Sequence, residues 1–151
     1  GDIVVFENFF SNPNGAITPT KRVTIQGLVR THGIAFSSVD NRMVLTDVGA
    51  ATSDSDGGLI IINNFSSVLA ATPNMGTIAT SSQIRLYGPN STLGNPVDVS
   101  YDDVTEQVFV AERLNAGGKL LTFNLPTANG DTAPTMSRPE LGISSVYLIR
   151  K

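Results

Sequence analysis

The chain has 151 residues, enough for one domain with its own core, with a formal net charge of −3 and no cysteine. The acidic balance argues against a nucleic-acid partner, and the absence of cysteine excludes disulfides and thiol chemistry. Charged residues make up only 15% of the chain, and no apolar run approaches the roughly 20 residues that a membrane-spanning helix needs. Ser, Thr, Asn and Gly take the place of the charged residues. This composition predicts a β-rich protein outside the cytoplasm, either secreted or periplasmic.

Short apolar or alternating segments recur along the chain, and helical periodicity is nearly absent. Glycine and proline occur so often that few windows of a dozen residues can hold a helix. The predicted strands, in chain order, are Ile3–Glu7, Arg22–Gln26, Gly33–Ser37, Met43–Asp47, Leu59–Asn63, Gln83–Tyr87, Pro96–Ser100, Phe109–Glu112, Lys119–Asn124 and Leu141–Ile149. Asp54–Gly58 and Asn115–Gly118 have the composition of hairpin turns.

A strand opened by glycine and followed by a Thr-Pro loop recurs about every 57 to 60 residues. The three copies are Gly1–Glu7 with Asn14–Thr20, Gly58–Asn63 with Gly76–Thr80, and Gly118–Asn124 with Asn129–Thr135. The inner strands that begin at His32 and Asn95 align at an offset of 63 residues, and the following strands align at 65. This self-similarity predicts four-stranded repeats within one partial domain that covers residues 1–151.

The order of these motifs resembles the NHL-repeat and gluconolactonase-type β-propellers. Gly33–Phe65 and Pro96–Phe123 each carry a small-residue inner strand, a strand that ends in an acidic residue, and a glycine-opened apolar strand. The resemblance implies an all-β fold of four-stranded antiparallel β-propeller blades.

Ten strands make about two and a half blades, whereas a closed ring has about four to eight. Gly1 opens inside a repeat. We therefore expect a partial ring, completed either by a second copy of the chain or by a missing N-terminal segment. Arg150 and Lys151 form a polar finish that suits a true C-terminus.

Five residues are candidates to face a ligand in the channel of such a ring. They are His32, Asp47, Asn95, Asp98 and Glu112. His32 and Asn95 stand before inner strands, where they either face a ligand or order the loop. Asp47 and Glu112 end equivalent strands, where they either bind a cation or hydrogen-bond the following turn. Gluconolactonase-type propellers bind a divalent metal with Glu, Asn and Asp residues, so the resemblance implies Asp98 and Glu112 as oxygen ligands.

Two functions of different classes remain open. With His32 as the only imidazole and no cysteine, the sequence offers no nucleophilic triad. The leading prediction is a non-enzymatic scaffold without a cofactor, which presents loops to a protein or glycan partner. The alternative is a lactonase or esterase of the gluconolactonase type that depends on Ca²⁺ or Zn²⁺. Asp54-Ser55-Asp56 faintly resembles a calcium loop, but a hairpin turn is the favoured interpretation.

Overall fold

The computed structural model describes residues 1–149, which form eleven β-strands and one α-helix. The strands are β1 (Asp2–Val5), β2 (Lys21–Ile25), β3 (Ile34–Ser37), β4 (Arg42–Asp47), β5 (Gly58–Ile62), β6 (Thr77–Ile78), β7 (Ile84–Tyr87), β8 (Pro96–Asp102), β9 (Gln107–Glu112), β10 (Lys119–Asn124) and β11 (Met136–Pro139). The helix α1 spans Phe65–Ala71. Short 3-10 turns lie at Phe9–Ser11, Thr80–Ser82, Pro89–Ser91 and Asn115–Gly117.

The strands form three sheets. The first sheet has the order β1-β2-β6, the second β3-β4-β5-β7, and the third β11-β10-β9-β8. Only β2 and β6 pair in parallel among these strands, and all other pairs are antiparallel. The described chain is therefore mostly β, as the sequence predicts.

The second and third sheets share their strand order and their register. A shift of 65 residues carries the pair Ile34 and Leu45 onto the pair Val99 and Val110. The predicted offset of 63 for the inner strands is wrong. The register of β8 is irregular between Pro96 and Asp98, and a pattern match that starts before this irregularity falls out of step with the strand beyond it.

Apolar side chains pack in two layers between the three sheets. The layer between the first and second sheets contains Val23, Ile25, Leu28, Met43, Leu45, Ile60, Ile62, Phe65 and Ile78. The layer between the second and third sheets contains Val44, Leu59, Ile61, Leu86, Leu93, Val99, Tyr101, Val108, Val110, Leu121 and Phe123. Because neighbouring residues of a strand face opposite sides, the second sheet contributes to both layers, and every residue of β5 is buried.

The helix α1 was not expected from the sequence. Its seven residues are shorter than the windows in which helical periodicity is detectable. Phe65 is buried, and Val68 and Leu69 pack against the same apolar layer at the i, i+3 and i+4 spacing of one helix face. Packing of this face on the second sheet stabilises a helix too short to form alone.

The end of the described chain also departs from the prediction. The segment Leu141–Ile149 forms no strand; it lies beside β8, where the Asp98 carboxylate accepts bonds from Ser145 Oγ (2.9 Å) and Val146 N–H (3.0 Å). β11, with the sequence Met-Ser-Arg-Pro, takes the edge of the third sheet by pairing with β10. That sequence lacks the apolar alternation of a strand, so pairing rather than pattern defines it. Arg150 and Lys151, for which we predicted a polar C-terminus, lie outside the described residues.

Candidate functional site

Asp47 ends β4 and is almost fully buried, with 1% of its surface exposed. Its carboxylate accepts hydrogen bonds from the backbone N–H groups of Val29 (3.0 Å), Arg30 (2.9 Å) and Gly49 (3.1 Å). The Tyr87 hydroxyl donates a fourth bond at 2.9 Å. Asp47 thus ties the loop before β3 to the turn after β4.

Glu112 occupies the corresponding end of β9 and is completely buried. Its carboxylate accepts bonds from the backbone N–H groups of Gly94 (2.9 Å), Asn95 (2.8 Å), Leu114 (3.0 Å) and Asn115 (2.9 Å). Both oxygens of the group are engaged. The same shift of 65 residues carries the three backbone donors at Asp47 onto Gly94, Asn95 and Leu114.

These two carboxylates form the site that the geometry supports best, which we call the carboxylate anchors. Each collects backbone donors from two separate loops at the same end of its sheet. A buried carboxylate that accepts several N–H bonds is strongly held, because removing it leaves those donors without partners. The predicted bonds from Asp47 and Glu112 to the following turn are therefore present, and each anchor also holds the loop that precedes the inner strand.

Asn95 and His32 occupy unlike positions. Asn95 is buried, and its backbone donates to Glu112 while its carbonyl accepts from Arg113 N–H at 3.1 Å. His32 is exposed at the entry to β3. By backbone hydrogen bonding the residue that corresponds to Asn95 is Arg30, so His32 and Asn95 are not equivalent. Whether either residue contacts a ligand stays a prediction.

Asp98 lines a cavity. A groove of about 590 Å³ runs between β3, β8 and the final segment. Its lining residues are Ile34, Ala35, Phe36, Asp98, Val99, Ser100, Tyr101, Val146, Tyr147 and Leu148. The groove has polar and apolar surface in about equal parts, and its Asp98 carboxylate and Ser100 hydroxyl already bond the final segment. The Asp98 carboxylate therefore has its own partners and shares none of them with the carboxylate anchors.

Within residues 1–149, no group of three or more His, Asp or Glu side chains is arranged to hold a metal ion. The Asp54-Ser55-Asp56 turn is held from within the protein: Asp56 accepts a bond from Ala50 N–H at 3.0 Å, which lowers the pKa of this carboxyl. The Asp54 carbonyl accepts a bond from Asn115 Nδ2 at 2.9 Å. This contact joins the hairpin loops of the second and third sheets.

A polar network ties the opposite end of the two sheets. The Asp40 carboxylate accepts bonds from Arg42 Nη1 (2.7 Å) and from the Tyr101 hydroxyl (2.6 Å), and Arg42 also contacts that hydroxyl. Burial raises the pKa of Tyr101 to about 12, with the Asp40 hydrogen bond acting in the same direction. Ser37 adds a bond to Asp103 at 2.6 Å. These groups connect turns of neighbouring sheets.

Two loops that contain Asn and Gly make contacts that the sequence analysis did not predict. Asn74–Gly76 and Asn129–Gly130 are loops that dock on the outer strand of the preceding sheet. The Asn74 side chain accepts from Arg22 N–H and the Asn129 side chain from Arg85 N–H, both at 2.9 Å. We call these segments docking loops; the recurrence of Asn near Gly was the clue to them.

Comparisons with protein-family models, with curated proteins and with solved structures find no match. The resemblance to NHL-repeat and gluconolactonase-type propellers therefore stays a prediction from the sequence motifs. In the part of the chain that the structure describes, no helix has the length and apolar character to cross a bilayer.

Proposed function

We propose that the chain is a non-enzymatic, extracytoplasmic β-propeller scaffold that presents loops to a protein or glycan partner. The observation that carries the proposal is the pair of carboxylate anchors. Their charges are used to order backbone loops, which is what a rigid binding surface requires, because a loop that is already ordered loses less conformational entropy when it binds.

The proposed binding surface is the end of the second and third sheets where the anchors lie. Gly49, Gly94 and Asn115 belong to loops that meet there, joined by the Asn115 contact to the Asp54 carbonyl. Side chains in the same loops are exposed to solvent: Val29 is 69% exposed, and His32 and Arg113 are also exposed. An apolar group beside polar and cationic ones suits a protein or glycan surface.

The scaffold proposal includes completion of a ring. The first sheet lacks strands that correspond to β3 and β4. On the side of the second sheet where those strands would lie, Ile34 is 55% exposed and Phe36 is 48% exposed. The corresponding residues of the third sheet, Val99 and Tyr101, are buried by the second sheet. A second copy of the chain, or a segment that precedes Gly1, would cover these side chains.

A metal-dependent lactonase or esterase is the competing function, and it assigns Glu112 to a cation. Four backbone N–H groups already occupy the oxygens of Glu112. A cation would have to displace those bonds and leave buried donors without partners.

The two functions separate in a thermal-stability experiment with Ca²⁺ or Zn²⁺. A ligand that binds the folded state raises the unfolding midpoint by mass action. We expect no shift with either ion, no hydrolysis of a lactone panel, and a Glu112→Gln midpoint lowered equally with and without ions. Lactone turnover that requires either ion and is lost in Glu112→Gln would overturn the scaffold proposal.

The binding surface is tested on glycan and protein panels with two matched variants. Val29→Asp changes the anchored loops, and Val39→Asp changes an 81% exposed position at the opposite end of the second sheet. We expect Val29→Asp to weaken binding and Val39→Asp to leave it unchanged. Equal effects of the two variants would place the partner elsewhere.

A further inference from the structure

Docking loops connect the last two strands of each sheet. The second docking loop, Asn74–Gly76, precedes β7 and lies against β2; the third, Asn129–Gly130, precedes β11 and lies against β7. The first sheet carries the corresponding segment Asn14–Gly15 between β1 and β2. We call it the first docking loop.

The two engaged docking loops use the same backbone contacts. Arg22 N–H donates to Asn74 Oδ1, and Met75 N–H donates back to the Arg22 carbonyl at 2.7 Å. Arg85 N–H donates to Asn129 Oδ1, and Gly130 N–H donates to the Arg85 carbonyl at 3.0 Å.

A third contact completes each docked loop. Two residues further along the outer strand, Thr24 N–H donates to the Gly76 carbonyl at 2.9 Å and Tyr87 N–H to the Gly130 carbonyl at 3.0 Å. A short segment that begins with Asn and ends with Gly therefore covers an outer strand in both cases.

The first docking loop has no such strand to cover. Asn14 is exposed, and its side chain has no hydrogen bond among residues 1–149. Gly15 has φ +113°, and no atom lies within 4 Å of the position that a Cβ would take. The first docking loop therefore covers no strand within residues 1–149.

The outer edge of β11 is the complementary surface. Ser137 lies opposite Leu121 as Arg85 lies opposite Ile60, and Leu121 and Ile60 occupy corresponding places in their sheets. Glu140 N–H points inward, toward the Gly118 carbonyl. Backbone groups of a strand point alternately to its two sides, so the N–H and C=O of Ser137 point outward. No strand or docking loop of residues 1–149 covers that side.

We propose that the first docking loop of one copy binds the β11 edge of a second copy. Ser137 N–H donates to Asn14 Oδ1 of the other copy, and Gly15 N–H donates to the Ser137 carbonyl. This contact specifies how a second copy would complete the ring, and the inference rests on that part of the proposed function. It does not depend on what the anchored loops bind.

The interface joins unlike surfaces, so copies associate head to tail. Pro139 stands where Thr24 and Tyr87 supply the third bond, and it has no N–H to donate. The contact therefore has two hydrogen bonds where the internal ones have three, and we expect it to dissociate on dilution.

Light scattering across a concentration series of the 151-residue chain tests the proposal. We expect association that increases with concentration and a dissociation constant raised about tenfold or more by Ser137→Pro and by Asn14→Ala. Ser137→Ala keeps the N–H, and Asn12→Ala changes a neighbouring loop residue, so both are expected to associate like the wild type. Asn14 contacts nothing that the fold requires, so its variant remains informative if Ser137→Pro misfolds.

A synthetic peptide of residues 12–20 supplies the reverse test. It should dissociate the assembly, and the same peptide with Asn14→Ala should have at least tenfold less effect. A wild-type chain that stays monomeric throughout the series, or association that is unchanged in Asn14→Ala, would overturn the inference. Glycan and protein binding measured on monomeric Asn14→Ala separates this outcome from failure of the proposed function.

Discussion

The second and third sheets share a hydrogen-bonding framework but differ in how they are covered. Both place a buried acidic residue at the end of the second strand, and both have antiparallel partners in the same register. The second sheet packs against apolar layers on both faces. The third sheet packs on one face, and its other face meets the final segment around a groove of about 650 Å³.

The outer face of the third sheet differs in polarity from the corresponding face of the second sheet at two positions. Ile61 of β5 corresponds to Thr122 of β10, and Ala35 of β3 to Ser100 of β8. Thr122 is itself buried, at 4% exposed, and Phe109 and Leu120 keep this face apolar at the positions of Val44 and Leu59. Coverage therefore affects how far each side chain leaves water, and an apolar side chain contributes most when it leaves water completely.

Of the side chains compared between the two sheets, the carboxylate anchors should contribute most to the free energy of unfolding, and by similar amounts. We expect Glu112→Ala and Asp47→Ala each to lower the free energy of unfolding by about 3–5 kcal/mol, because each leaves three or four backbone N–H groups, buried or partly buried, without acceptors. Urea denaturation measures the change. Glu106→Ala, at a side chain 66% exposed, is the control and should cost less than about 0.5 kcal/mol. A loss below about 1 kcal/mol at either anchor would contradict its structural role.

Leu59 and Leu120 are the same residue type at corresponding positions, so truncating each one shows how much the covering of its sheet face contributes to stability. Leu59 is fully buried, whereas Leu120 is half-buried on the open face. We expect Leu59→Ala to cost about 2–5 kcal/mol and Leu120→Ala about 1 kcal/mol. Equal losses of unfolding free energy for the two variants, measured in dilute monomeric protein, would show that the final segment covers the third sheet as well as a full sheet does.

The alternation of apolar residues allowed strands close to β2–β5 and β7–β10 to be predicted from the sequence, together with the acidic ends of β4 and β9. β6 and β11 could not be predicted, because their short segments become strands only by pairing with residues distant in the chain. The irregular register near Pro96 was missed for a similar reason. It changes the pairing of β8 without changing the local pattern of apolar residues.

The candidate site was predictable in part. The sequence identified Asp47 and Glu112 and their bonds to the following turn. It missed the N–H groups of Val29, Arg30 and Gly94, because a backbone donor gives no side-chain signal. Burial and hydrogen bonding of a carboxylate are tertiary properties, so the choice between anchor and ligand required the structure.

Gly33 and Asp98 give a second comparison between corresponding positions. A Cβ on Gly33 would lie 2.8 Å from the backbone of Asp98, so β3 can approach β8 only with glycine there. The third sheet tolerates an aspartate at the same place because only the final segment passes it. We expect Gly33→Ala to cost about 1–3 kcal/mol in thermal unfolding and Asp98→Ala less than about 1 kcal/mol. The reverse order would contradict the packing of β3 on β8.

Tyr101→Phe should have the smallest effect on stability, and this effect should depend on pH only under alkaline conditions. Its pKa is raised to about 12 in the folded state, against about 10 in the unfolded chain. The stabilisation is therefore complete below about pH 10 and is lost as the pH rises through about 12. We expect Tyr101→Phe to remove part of this alkaline loss. A Tyr101→Phe stability profile parallel to the wild type between pH 8 and pH 12 would show that the hydroxyl does not titrate as described.

Amide hydrogen exchange at the anchored loops tests directly whether the two carboxylates hold these loops, because it observes the N–H groups that the carboxylates bind. We expect slow exchange at Val29, Arg30 and Gly49 and equally slow exchange at Gly94, Asn95, Leu114 and Asn115, by about a factor of 10³ or more relative to unprotected amides. We also expect that neither Ca²⁺ nor Zn²⁺ changes these rates. Exchange at the Glu112 loops as fast as at unprotected amides, or a rate that depends on either ion, would show that the carboxylates do not hold these loops.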